Sequence, residues 1–254
     1  MFEDACVDEE CHFYWMTNRP NGLDVLESEY QGVILKLESR PFSWLSGLVS
    51  YTWSESEGSV EYTQNAGIDF DVYPAHYINR MGALSDDARH RFKASGFVRA
   101  PFGTTFGLDG FWESGVPDNV TANLGVLGAP AGYGTLFVAP RGTRRLDAQH
   151  RLDFQAMHEF TFGRVRMGLI GTVYNLLGSD LVTDLGSNIG GYAACDGGTV
   201  KDVEDARLGD CVANPLFGID QDAPAALAVT SSSFGEALDT QRPRRYEIGI
   251  RFEF

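Results

Sequence analysis

Arg244-Arg245-Tyr246-Glu247-Ile248-Gly249-Ile250-Arg251-Phe252-Glu253-Phe254 alternates without a break. Tyr246, Ile248, Ile250, Phe252 and Phe254 point one way; Arg245, Glu247, Gly249, Arg251 and Glu253 point the other. Side chains of a strand alternate between faces, so this segment reads as a strand with one apolar and one charged face. In a soluble sandwich the polar face would meet bulk water. In an outer-membrane barrel the apolar face meets lipid and the charged face lines a wet lumen. The segment also has about the 9–11 residues that a tilted membrane strand needs.

Composition alone points elsewhere. The chain has 254 residues, is 43% hydrophobic and carries a formal net charge of -15. No stretch approaches the roughly 18 consecutive apolar residues of a membrane helix, but barrel strands give a far weaker signal per segment. The acidic balance argues against a nucleic-acid partner, which needs a basic face. The first residues, Met1-Phe2-Glu3-Asp4-Ala5-Cys6, have neither a basic nor an apolar leader pattern.

Other segments repeat the alternation of the last one. Phe92, Ala94, Gly96 and Val98 oppose Arg91, Lys93, Ser95 and Arg99; Phe106, Leu108, Gly110 and Trp112 oppose Thr105, Asp109 and Glu113. Leu152, Phe154, Ala156 and Phe160 oppose Arg151, Asp153, Gln155 and Glu159; Val165, Met167, Leu169 and Val173 oppose Arg164, Arg166 and Thr172. His158 breaks an apolar face, and Leu48, Phe97, Phe111 and Ile170 break polar ones. Aromatics gather near strand ends (Trp44, Tyr51, Trp53, Trp112, Tyr174, Tyr246), as an interfacial girdle requires.

The reading gives strands at 26–39, 42–54, 88–100, 103–114, 149–161, 164–176 and 244–254. Short turns are expected at Ser39-Arg40-Pro41, Ala100-Pro101-Phe102-Gly103 and Phe162-Gly163. Long polar stretches follow at 55–87, 115–148 and 177–243. Structureless loops beyond about 12–15 residues are uncommon in compact soluble domains, whereas barrels carry short periplasmic turns and long outer loops. The expected fold is therefore an all-β, antiparallel transmembrane β-barrel. About seven of its strands are present, an odd number that cannot close a bacterial barrel with both ends periplasmic. Residues 1–25 read as an extracellular loop or linker and 26–254 as the carboxy-terminal segment of the barrel. The run 11–17 alternates too poorly to count as a strand.

The order of several short motifs then resembles a family. Tyr30-Gln31-Gly32-Val33-Ile34-Leu35-Lys36-Leu37, with Trp44 and Ser50-Tyr51-Thr52-Trp53-Ser54, resembles a repeated hairpin of TonB-dependent outer-membrane receptors: a Y-x-G strand, a periplasmic turn and a S-Y-T-x-S strand. Asp87-Ala88-Arg89-His90-Arg91-Phe92, Ser114-Gly115-Val116-Pro117, Arg151-Leu152-Asp153 and Val173-Tyr174-Asn175-Leu176-Leu177 extend the match. Phe234-Gly235 and Gln241-Arg242-Pro243-Arg244-Arg245 before the last strand resemble the family's final hairpin. The match spans roughly 20–254 and is best for the Oar-like variety, which has a carboxypeptidase-regulatory-like extension. The resemblance implies a bacterial outer-membrane location and a barrel of about 22 strands with a plugged lumen. Neither an enzymatic activity nor a cofactor is expected from the residues themselves. The expected partners are the lipid bilayer, the remaining barrel and plug segments, TonB through a missing amino-terminal part, and a small-molecule or peptide ligand. It also implies that Phe254, with Phe252 and Tyr246, marks the last strand for the insertion machinery. The alternatives are a small autonomous outer-membrane barrel acting as adhesin or structural protein, and a soluble secreted β-sandwich binding module.

Candidate residues follow from placement. Cys6 and Cys11, and Cys195 and Cys211, fall in segments assigned outside the cell, where disulfides persist. Four cysteines allow three connectivities, of which sequence-local pairing is favoured. Neither pair has zinc spacing, and His12 reads as an exposed side chain. Arg91, Lys93, Arg99, Asp109, Glu113, Asp153, Arg164, Arg166, Arg251 and Glu253 are expected to face the lumen and pair across strands. Asp69 and Asp71 could share a face toward calcium, but the other oxygen ligands of a full site are missing. His90, His150 and His158 have no spaced nucleophile, and no metal site or phosphate-binding loop is evident.

Overall fold

The computed structural model describes residues 27–59, 78–123, 135–163, 165–190, 195, 198–218 and 223–253, with the backbone of 5–7 and 10–12. No helix occurs among them, and hence none that is long and apolar enough to cross a membrane. Seven long strands carry the fold: β1 (Ser28–Phe42), β2 (Leu45–Gly58), β3 (His90–Arg99), β4 (Thr104–Glu113), β5 (Gln149–Phe162), β6 (Val165–Tyr174) and β7 (Arg245–Glu253). They run from 9 to 15 residues, against a mean of about 5–6 in globular proteins.

Each long strand pairs antiparallel with its sequence neighbour, in the order β7-β6-β5-β4-β3-β2-β1. The two-residue strand Gly82–Ala83 adds to the far end of β2. The sheet is open. β1 and β7 are edges, each with one partner, and no closed barrel is formed by the described residues.

The register decides which side chains share a face, because residues directly opposite each other in an antiparallel pair lie on the same side. Val49 faces Ala94, Ala94 faces Gly110 and Gly110 faces Leu152. Lower down, Leu45, Val98, Phe106, Ala156, Gly171 and Ile248 form one row. Every apolar series read from the sequence falls on this one side of the sheet, joined by Val33, Leu35 and Leu37 of β1. The side is uncovered: Leu37 is 68% exposed, Leu169 44% and Ile248 80%. None of the seven strands contributes a buried hydrophobic side chain to a core.

The connections fall into two classes. β1 turns into β2 through Ser43-Trp44, not through Ser39-Arg40-Pro41 as expected, and the ladder slips by one residue between Ser39 and Phe42. Proline cannot donate to a ladder and is tolerated at an edge or a bulge, so Pro41 stays inside the edge strand and the strand continues past it. β3 turns into β4 over Ala100–Gly103, where Gly103 takes φ 84°, and β5 ends at Gly163 with φ 62°. Aromatic rings crowd this end: Phe42 stacks on Trp44 at 5.2 Å, and Phe102 and Phe162 are exposed.

At the opposite end the long connections are folded, contrary to their reading as loops. Thr121–Asn123 pairs with Thr135–Phe137, and Val182–Leu185 with Ala237–Thr240. Cys211–Ala213 lies between Val200–Lys201, parallel to it, and Ala226–Ala228, antiparallel. These pieces enclose a core of Val120, Ala122, Val138, Ile189, Val212, Leu227 and Val229. A second cluster joins Leu136, Leu216 and Ala223 with Ile78. We refer to the whole as the cap. It draws on all three long connections, and it holds the large buried hydrophobic side chains of the described residues.

Candidate functional site

Two polar regions meet below the cap: the charged face of the sheet, and a buried ionic knot where sheet and cap join. The knot centres on Asp87, whose side chain is fully buried. Its carboxylate accepts hydrogen bonds from Arg89 Nε at 2.8 Å, Arg145 Nη2 at 2.5 Å and the Ser56 backbone N–H at 3.0 Å. Burial by itself would raise the carboxyl pKa. The Arg145, Arg89 and Ser56 bonds outweigh it and hold the group below the usual carboxylate range. Arg89 also reaches Glu55 and, at 3.0 Å, Glu57, and its own pKa is raised chiefly by Asp87. Arg145 donates further to the Asp87 and Gly115 carbonyls at 2.7 and 3.1 Å. Residues from β2, from the connection before β3 and from the connection before β5 are thus fixed on one carboxylate.

A second knot lies deeper in the cap. Asp118 accepts from Arg144 and from Ser187 Oγ, linking the second long connection to the third. Arg80 and Arg141 flank the Phe137 ring at 5.7 and 5.4 Å, and burial pushes the Arg141 guanidinium down to about 10.

Cys195 and Cys211 form a disulfide, tying the connection after β6 to the central strand of the three-stranded cap sheet. Their separation of 16 residues makes the link worth about 3 kcal/mol on the chain-entropy account. Cys195→Ala/Cys211→Ala should therefore lower cap stability by about that amount, read as earlier loss of structure on heating and faster proteolysis within 198–218. Cys6 lies opposite Cys11 in a short backbone hairpin. The side chains of Cys6, Cys11 and His12 lie outside the described residues, as do Asp69, Asp71 and most of the run 11–17.

The register places Arg91, Lys93, Arg99, Asp109, Glu113, Asp153, Arg166, Arg251 and Glu253 together on the face opposite the apolar one. Arg91 meets Glu113 across β3 and β4 at 3.2 Å, and Arg166 meets Glu253 across β6 and β7 at 3.2 Å. Arg151 reaches Asp153 at 3.2 Å along β5, and Arg251 pairs with Glu253 along β7. Lys93, Arg99 and Asp109 have no ion pair among the described residues. Arg164 and Phe254 lie outside the described residues, whereas Phe252 and Tyr246 sit exposed on the apolar face of β7.

The middle of the polar face holds an arrangement that residue-by-residue reading missed. Asp109 of β4 stands directly opposite Asp153 of β5. Like charges directly opposite each other are unfavourable. Asp153 is offset by Arg151 and by the Asn175 backbone N–H, which it accepts at 2.8 Å. Asp109 remains exposed and has no ion pair among the described residues. Beside this pair lie Phe111 with Arg151 above its ring at 5.4 Å, and Tyr174 with Arg245 above its ring at 4.3 Å. The face therefore offers carboxylates, guanidinia and flat aromatic surfaces within neighbouring strands, which suits hydrogen-bonded recognition of a polar ligand. Only the pairing register reveals it, since Asp109 and Asp153 are 44 positions apart.

His90 and His158 are satisfied structurally. The Tyr51 hydroxyl meets His90 Nδ1 at 2.8 Å, the Thr104 hydroxyl meets His158 Nδ1 at 2.7 Å, and His158 packs edge-on to Phe160 at 4.4 Å. No group of three or more His, Cys, Asp or Glu converges as a metal site among the described residues. No known family model matches the chain, and no curated protein matches it.

Proposed function

We propose that the chain is a wall segment and outer cap of an outer-membrane barrel of the TonB-dependent receptor type, handling uptake of a scarce ligand. The observation that carries this reading is the uncovered apolar face. Seven strands of membrane length align their hydrophobic side chains on one side through an independently fixed register, and no second layer lies over them among the described residues. A β-sandwich would bury that face against another sheet. Lipid is the medium that leaves it uncovered without cost.

Three further features support the assignment. The cap gathers at the end opposite the short, aromatic-rich turns, as barrel asymmetry requires. Its disulfide belongs to an oxidising compartment. The two open edges fit a segment that further strands complete, since unpaired backbone groups cost several kcal/mol each in hydrocarbon. On this reading the polar face lines the lumen, and the lumenal row around Asp109, Asp153 and Tyr174 contacts ligand.

Val165→Arg and Leu169→Arg test the membrane assignment. Leu169→Arg, in the middle of β6, should cost roughly 2–4 kcal/mol near the bilayer midplane, and Val165→Arg, beside the turn at Gly163, about 0–1 kcal/mol, measured as lost insertion into lipid vesicles and lost protease protection. Replacing Arg166 by Leu on the other face should leave insertion intact. Undiminished insertion of the Val165→Arg/Leu169→Arg double variant would sink the assignment.

A further inference from the structure

Near the cap end of β7, charge and exposure combine in a way that transport does not explain. In this acidic chain, seven arginines of sheet and cap reach a carboxylate: Arg89, Arg91, Arg144, Arg145, Arg151, Arg166 and Arg251. Arg242 and Arg244 are exposed and have no ion-pair partner among the described residues. Arg244 is held in place instead. Its Nη2 donates to the Leu176 carbonyl at 2.8 Å and its Nε to the Asn175 carbonyl at 3.4 Å. The guanidinium lies against Gly178, which at φ 69° has no side chain to displace it. The backbone of Arg242 is fixed two residues earlier, because its carbonyl accepts from the buried Asn175 Nδ2 at 3.1 Å. Arg245 turns to the other face, over Tyr174.

Directly beside these two cations the surface becomes apolar. Leu177 is 58% exposed and Tyr246, two residues after Arg244, is 69% exposed. Ile248 follows below it. An anionic phosphate suits the guanidinia, which bind it as a planar fork. Hydrocarbon suits the side chains underneath, so one molecule carrying both groups fits the whole patch better than free phosphate does.

We propose that Arg242 and Arg244 bind the phosphate of an anionic lipid headgroup, with the lipid's acyl chains lying along Leu177, Tyr246 and Ile248. The site sits at the outer rim of the membrane band, and the proposal rests on the membrane reading given above. It assigns the patch to fixing the depth and outer-leaflet surroundings of the cap, apart from the lumenal face.

The test uses the full chain in nanodiscs of zwitterionic phospholipid with a minor fraction of phosphatidylglycerol, and counts retained lipids by native mass spectrometry. Phosphatidylglycerol should be retained about tenfold over its zwitterionic counterpart, equivalent to about 1.4 kcal/mol. Arg242→Gln should weaken this preference and Arg242→Gln/Arg244→Gln should abolish it, while Arg207→Gln, a cap cation elsewhere, should leave it unchanged. Because Arg244 also braces the turn at 175–178, Arg242→Gln alone is the decisive variant. Millimolar inorganic phosphate should not displace the lipid; full displacement would overturn the lipid assignment in favour of a free anion. Equal retention in wild type and both variants would overturn the site. Failure of every variant, and of wild type, to enter nanodiscs would instead overturn the membrane reading and this proposal with it.

Discussion

Asp87→Ala should destabilise the junction of sheet and cap by about 3–5 kcal/mol, the usual consequence of removing one partner from a buried ionic cluster. The carboxylate is fully buried and accepts from two arginines and one backbone N–H. Without it Arg145 keeps only carbonyl partners, and the Ser56 N–H has lost the acceptor that held β2 to the connection. Arg89 retains Glu55 and Glu57, which places the expected loss toward the lower end of the range. Denaturant unfolding in detergent, read together with limited proteolysis of the cap, measures it. The same group predicts an acid response. Its folded pKa lies below the ordinary Asp value of about 4, so the stabilisation is complete above that value and disappears as pH falls below it toward the folded pKa. Asp87→Asn should remove this component, giving a flatter stability profile below about pH 4. An unchanged acid limb in Asp87→Asn would show that the carboxylate is not the responsible group.

Leu227→Ala has the next largest expected effect, about 2–5 kcal/mol for a buried leucine whose site cannot collapse. Leu227 is 1% exposed and packs with Val120, Ile189, Val212 and Val229. The loss should be local. Hydrogen exchange should accelerate at the Thr230 and Ile189 amides, which bond to the Ile189 and Thr121 carbonyls at 2.8 Å. Amides inside β5 and β6 should exchange as before, because no side chain of those strands enters the cap core. Equal acceleration in sheet and cap would mean that the two unfold as one unit.

The sheet was legible in the sequence because a period of two is a local signal that survives over nine or more residues. The expected strand at 149–161 is Gln149–Phe162, and that at 244–254 is Arg245–Glu253. The departures from alternation were equally readable: His158 does lie on the apolar face, opposite Leu169. The pairing of Cys195 with Cys211 followed from their shared connection. The cap was not legible. Its core is made of pieces three residues long, such as Thr121–Asn123 and Ala226–Ala228, set among Gly, Asp, Asn and Pro that read as loop. A run that short shows no period. The turn at Ser43-Trp44 was displaced because Pro41 signals a turn in sequence, yet an edge strand with a bulge accommodates it. The ionic knot left no trace either: Glu55, Asp87 and Arg145 meet only after two connections have folded against the end of β2. For the same reason the charged residues of the strands could be assigned to a face but not to their partners.

The shared cap core also has a kinetic consequence. Each hairpin of the sheet closes through a turn of a few residues, at little cost in chain entropy. The cluster uniting Val120 with Val229 closes a loop of roughly a hundred residues, and non-local contacts of that kind form slowly. Val229 hangs on the connection that leaves β6, so docking of β5 and β6 beside β4 brings it toward Val120. Sheet assembly should therefore precede the cap as a separate, faster kinetic phase. The connections would reach their final side of the sheet still unfolded, and packing them afterwards would make that arrangement hard to reverse.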